Sequence, residues 1–283
     1  MKQQVLNLKA KDVGKYLLYF FLGVFAFIQL YPFIWLVFFS LKSNSEIFGE
    51  NIIGLPKEFL WQNYQTALVS GKVGLYFFNS LLVTSITIII SGLLSAMASY
   101  AIIRLKWKLS RLTLIIFLLG LMIPLHAALL PLFIIMKQLK LLNTYWSLII
   151  PYVAFAMPMA IYILAGFLQG IPVDMEESAL LDGCSIYGTF FRIIVPILRP
   201  AIATVSIFTF LTAWNELMFA ITFISKQQYR TLTVGINQMV GQYLTHWGPI
   251  GAGLVIATLP TILIYTLMSK QVQKSLISGA VKG

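Results

Sequence analysis

Residues 76–103, YFFNSLLVTSITIIISGLLSAMASYAII, contain no aspartate, glutamate, lysine or arginine. A helix rises 1.5 Å per residue, so about 20 apolar residues carry it across the hydrocarbon core of a bilayer. The lipid interior offers no water to an unpaired N–H or C=O, so a spanning segment must pair its backbone within a helix or a closed barrel. This run is too long for a barrel strand and lacks strict alternation of apolar and polar positions, which leaves a helix. Five further runs of the same character lie at about 16–40, 112–136, 145–168, 201–224 and 249–269. The predicted fold is all-α, with six transmembrane helices over 16–269, a short N-terminal segment at 1–15 and a C-terminal tail at 270–283.

Composition agrees with this reading. The 283 residues are 59% hydrophobic and 10% charged, with a mean hydropathy of +0.87. A soluble domain carries about 25% charged residues, so this chain has too few to cover a surface in water. The first apolar run is too long for a signal-peptide core and no small-x-small cleavage site follows it, so it reads as a retained span.

Orientation follows from Lys and Arg alone. With the N-terminus inside, thirteen of the twenty basic residues fall on cytoplasmic segments and seven on outer loops. That bias predicts both ends inside. The net charge of +11 then reads as topology plus attraction to anionic lipid headgroups. Nucleic acid is a poor partner, because the basic residues are spread over separate loops rather than gathered on one face.

Several chemistries are missing. Cys184 is the one cysteine, so no intramolecular disulfide forms, and neither His126 nor His246 shares metal-ligand spacing with it. No metal site and no catalytic constellation is expected. There is no phosphate loop: Gly14-Lys15 and Gly71-Lys72 lack the upstream glycine and the following Ser or Thr. Glu216 is the one Asp, Glu, Lys or Arg well inside a predicted span, whereas ion-coupled carriers need several such groups. Uphill transport by this chain therefore draws its energy from another subunit.

The polar exception is 172–196, PVDMEESALLDGCSIYGTFFRIIVP, where four of nine acidic residues (Asp174, Glu176, Glu177, Asp182) fall close together. Pro172 suits a helix start, and acids after it favour the positive end of the helix dipole. Gly183 can take the left-handed conformation that stops a helix. A second short helix is expected over about 186–195, until Pro196 and Pro200 lead into the fifth span. The product is a helix–turn–helix with Met175, Ala179, Leu180 and Leu181 beside the acids. Such a knob suits a basic-rimmed cleft on a soluble partner; a solvated connection with capped ends is the plainer reading.

The same segment resembles the permease subunits of binding-protein-dependent ABC importers. Their hallmark is a Glu-Ala-Ala segment, a glycine six residues after the Glu, then Ile-x-Leu-Pro. Here stand Glu177-Ser178-Ala179, Asp182-Gly183 and Ile193-Ile194-Val195-Pro196, with Ser for the first Ala and Val for Leu. TFLTAWNELMFA (209–220), RTLTVG (230–235) and GAVKG (279–283) extend the likeness to the second permease of the maltose-type carbohydrate branch, a type I importer domain. The resemblance implies a sister permease, two ATPase subunits that bind ATP and magnesium, an external solute-binding protein and a sugar substrate. This chain would bind no cofactor and catalyse nothing. It also implies that Glu176, Glu177, Ala179, Leu180, Asp182, Gly183, Ile193, Val195 and Pro196, within a coupling segment at 170–199, contact the ATPases, with Glu177 pairing with a basic residue. The outer loop 225–247 would reach into the binding protein and the tail 275–283 would touch the ATPases. Glycerol-phosphate importers share this branch, and a self-contained carrier or channel would also have six spans.

Three further features stand out, two of them with two readings. Pro124 and Pro131, like Pro151 and Pro158, lie seven apart on one helix face, as gating joints or as tolerated structural prolines. Ser91, Ser95 and Ser99 with Gly92 and Ala96 form a small-residue face for close helix packing. Trp214, Asn215 and Glu216 form either a sugar-facing patch in the translocation pathway or a packing motif near the outer boundary.

Overall fold

The computed structural model describes residues 2–49, 51–105, 107–241 and 245–280, with side chains described between 14 and 268. Among them every regular element is a helix. By length and composition four helices can cross a membrane, or six if each of two bent pairs counts as one span. The chain divides into two compact units, Met1–Gly71 with Met239–Ile256, and Lys72–Gln238 with Ala257–Gly283.

The first unit contains α1 (Lys2–Ser40), α2 (Asn44–Ile47), α3 (Gln62–Val69) and the beginning of α14 (Trp247–Ala280). The apolar window of α1 has none of its residues buried, so its side chains are left for lipid or another chain. Polar bonds organise the end of α1. Asn63 donates to the carbonyls of Ser40 (2.9 Å) and Lys42 (3.0 Å). The Lys42 ammonium, 1% exposed, donates to the carbonyls of Asn51 and Ile52. A buried cation is costly without such acceptors. Asn44 holds the start of α14 by donating to the Thr245 carbonyl and accepting from the Trp247 amide.

The second unit is built on α4 (Val73–Arg104) and α7 (Trp146–Leu168), which make its most extensive helix pair. Lipid tails are as apolar as leucine, so this pair is held by close packing rather than by exclusion of water. The expected small-residue face is buried: Ser91, Ser95 and Ser99 are fully buried and Ala96 nearly so, and the Ser99 hydroxyl donates to the Ile161 carbonyl of α7. Around the pair lie α5 (Ser110–Leu119), α6 (Leu129–Gln138), α8 (Asp174–Leu181), α9 (Ile186–Thr189), α10 (Val195–Ile197), α11 (Arg199–Trp214), α12 (Met218–Phe223), α13 (Leu232–Asn237) and the remainder of α14. Two apolar cores result, one centred on Tyr152, Phe219 and Phe223, the other on Leu164, Leu168, Phe190 and Ile194.

The second and fourth spans run as expected. The third does not: α5 ends in a 3-10 turn, Ile123 and Pro124 are extended, and the halves Ser110–Met122 and Leu125–Gln138 meet at 95°. Pro124 has no N–H to continue the ladder and drives the residue before it out of the helical region. Pro124 and Pro131 therefore lie in different segments and share no helix face, whereas Pro151 and Pro158 both stay inside α7. The fifth run is broken as well, between Trp214 and Met218. At the chain's end α14 continues to Ala280, so the tail reading for 275–283 rests partly on residues 281–283, outside the described residues.

Candidate functional site

The acidic module folds as a helix–turn–helix. Asp174, Glu176 and Glu177 occupy the first turn of α8, where no side chain caps the N-terminus and negative charge is favoured by the dipole. Pro172 sits just outside that turn, ahead of the N-cap Val173. The helix ends in a Schellman turn: Gly183 N donates to Leu180 O (3.1 Å) and Cys184 N to Ala179 O (2.9 Å), with Gly183 at φ +83°. Ser185 then caps α9 by accepting from the Gly188 amide at 3.1 Å.

The expected second helix over 186–195 is not one continuous α-helix. α9 passes at Phe190 into a π turn ending at Ile194, in which the Val195 amide reaches back to Phe190 O. Pro196 gives no amide and its ring crowds the carbonyl four residues earlier, which a widened turn accommodates. At Leu198 the chain bends by 74° into α11, whose first turn holds Pro200.

The module has an inner and an outer side. Glu176, Ala179 and Ile194 are buried, and Ile193, Val195 and Pro196 are half-buried. Met175, Glu177, Leu180, Asp182 and Gly183 are exposed, as is Leu181 at 88%. Of the nine residues assigned from sequence to partner contact, Glu177, Leu180, Asp182 and Gly183 form the outward patch. Glu176 faces the opposite way, onto Arg104 at the end of α4, with Nε and Oε1 2.8 Å apart. Sequence reasoning missed Arg104, because nothing local ties an arginine at a span's end to an acid in another segment.

The Trp214-Asn215-Glu216 triplet lies at the break between α11 and α12. Trp214 is buried, stacks on Phe210, meets Phe77 edge-on and donates from Nε1 to Ala257 O at 3.1 Å. Asn215 is exposed and donates to Leu211 O, capping α11. Glu216 is buried; its carboxylate accepts from the Phe219 amide (2.7 Å), the Ala220 amide (3.1 Å) and the Tyr152 hydroxyl (2.6 Å). In an unbroken helix those amides would be committed to carbonyls one turn back. Ending α11 at Trp214 frees them for the buried carboxylate, which needs such donors. Its backbone carbonyl accepts from Thr233 of α13.

The 225–238 part of the 225–247 loop is folded onto α4. Asn79 donates to the carbonyls of Gln228 and Arg230, and Ser80 accepts from the Leu232 amide. Asn143, held at φ +60°, accepts at Oδ1 from the amides of Ser225 and Lys226. Residues 242–244 of the same loop lie outside the described residues.

Known proteins place this geometry. Residues 88–278 match the family described as binding-protein-dependent transport system inner membrane component. The chain is 37% identical to the probable ABC transporter permease protein YurM of Bacillus subtilis, over 96% of this chain and 90% of that one. It is 32% identical to the trehalose/maltose transport system permease protein MalG of Thermococcus litoralis, over the full length of both. Its fold is similar, with a TM-score of 0.80 and 19% identity over 92% of this chain and 97% of the other, to a chain in the crystal structure of a bacterial ABC transporter involved in the import of the acidic polysaccharide alginate. The importer resemblance and the all-helical membrane fold read from the sequence are thereby borne out, and the chain belongs to the family of binding-protein-dependent transport system inner membrane components.

Proposed function

We propose that this chain is the non-catalytic permease subunit of an ATP-driven sugar importer. It lines the translocation pathway together with a sister permease, while two ATPase subunits bind and hydrolyse Mg-ATP. An external solute-binding protein delivers the sugar. Both termini and the α8–α9 module face the cytoplasm, in line with the distribution of Lys and Arg. The observation that carries this reading is the outward patch of α8: a carboxylate, Glu177, beside exposed Leu180 and Leu181, on a rigidly turned helix with an ordered end. A chain of mostly apolar helices with a mixed acidic and hydrophobic knob, and no phosphate loop of its own, is built to be driven by a soluble engine.

The sugar class follows from relatives such as the trehalose/maltose permease. Asn215 is the polar side chain of the α11–α12 break that is exposed, and it is assigned to the pathway; Trp214 and Glu216 hold the break in shape. Of the outer loop, the 225–238 part is assigned to contact with the binding protein. The test is reconstitution with the sister permease, ATPases and binding protein in liposomes, assayed with radiolabelled trehalose and maltose. Uptake that requires Mg-ATP and every subunit is expected. Accumulation of either sugar by this chain alone would overturn the reading.

A further inference from the structure

Arg104 is the last residue of α4, and its side chain is 9% exposed. Its Nη2 donates to Leu168 O at 2.9 Å, on the last turn of α7, and to Ile171 O at 2.7 Å, in the link to α8. Its Nε lies 2.8 Å from Glu176 Oε1, a charge contact without hydrogen-bond alignment. Tyr100, one turn earlier on α4, borders the same carboxylate. A single guanidinium thus ties the ends of α4 and α7 to the first turn of α8. Next to Glu176 in sequence, Glu177 is turned by about 100° around the helix and is exposed.

We infer that Glu176 and Arg104 are positioning residues that hold α8 to the ends of α4 and α7, so that movement imposed on its outer patch is passed to those two spans. This inference rests on the importer reading above. α8 has eight residues and is connected to α7 by a short link; Glu176 and Ala179 are its buried residues. Without a joint, a push on Glu177 and Leu181 would rock the short helix in place. A fixed planar guanidinium with three partners resists such rotation, because its donors are set in a rigid fork. Transmission then requires only that the driven and undriven states differ in their contacts with the outer patch. Glu176 is thereby withdrawn from the partner-facing set to which sequence spacing assigned it.

The experiment uses the complete transporter in lipid nanodiscs, with hydrogen exchange followed by mass spectrometry, with and without Mg-ATP and vanadate. In the wild type, nucleotide should change exchange in peptides from α8 and from the ends of α4 and α7. Glu176→Gln keeps the size and leaves the Arg104 bonds to the two carbonyls in place. It should still recover the ATPase on purification and still respond in α8, while the nucleotide response in α4 and α7 falls about tenfold, within the usual range of coupling between sites. Arg104→Lys, which keeps the charge, should recover part of that response, whereas Arg104→Gln should not. Should Glu176→Gln fail to assemble, Glu176→Asp takes its place and should give an intermediate response. A wild-type response at α4 and α7 in Glu176→Gln, or in Glu176→Asp where that is the variant read, would overturn the inference and leave the importer reading standing. Absence of any nucleotide response at α8 in the wild type would overturn the importer reading, and this inference with it.

Discussion

Removing the Glu216 carboxylate leaves the Tyr152 hydroxyl and the Phe219 and Ala220 amides without their acceptor. Each stranded buried donor costs about 1–3 kcal/mol. Glu216→Ala should therefore lower the thermal stability of the assembled transporter by about 3 kcal/mol, and Tyr152→Phe by about 1 kcal/mol, read by unfolding in detergent. Asn215→Ala should do the reverse: stability close to wild type, but slower sugar uptake, since Asn215 is exposed and caps with a single bond. Equal losses of stability in the two variants would put Asn215 back among the packing residues. In the acidic module, Glu177→Lys reverses the charge at that position and cancels that of the outer patch, and Gly183→Pro forces φ near −65° where the turn holds +83°. Both should uncouple ATP hydrolysis from uptake, lowering sugar moved per ATP by at least about tenfold; wild-type coupling ratios would remove the assignment. The partnership of Glu216 with Tyr152 was not legible beforehand, because the two are 64 residues apart and hydropathy does not reveal who satisfies a carboxylate.

Between residues and the whole, elements differ in how openly the sequence declares them. α4 and α7 could be read within a few residues, since each is an uninterrupted apolar run and lipid permits little else. The third run warned of its bend only through Pro124, and a proline announces a lost hydrogen bond without saying that the halves will meet at 95°. The fifth gave no such warning, for its break answers a buried acid rather than a helix-breaking residue. The module's helix, stop and second helix were legible because capping is local chemistry, while the π turn near Pro196 depended on how the chain negotiates a missing donor. One element makes a sharp prediction. A Cβ on Gly235 would clash with the edge of the Tyr76 ring, so α13 lies against α4 only because that position has no side chain. Gly235→Ala should lift α13 from α4, raise exchange of its amides and expose 225–238 to protease, while recovery of the ATPase stays as in wild type. Unchanged exchange in α13 would mean that the ring moves aside instead.

At the scale of the molecule, charge distribution and apolar length together dictate which way the chain lies in the membrane, and this is directly testable. With Cys184 replaced by serine, a single cysteine at Leu181 (88% exposed) should react with an impermeant maleimide only in inside-out vesicles. One at Ile53 (69% exposed), in the loop after α1, should react only in right-side-out vesicles. The opposite pattern would invert the topology and detach the acidic module from any cytosolic engine. The two adjacent glutamates of α8 carry a consequence for how such transporters diversify. If α8 meets an ATPase as proposed, pairing with a new engine calls for changes on one exposed flank of an eight-residue helix, while the buried flank carries its stroke. On the proposed reading, chimeras exchanging Met175, Glu177, Leu180 and Leu181 should be re-addressed to a foreign ATPase with Glu176 and Arg104 left as they are, which would separate recognition from transmission.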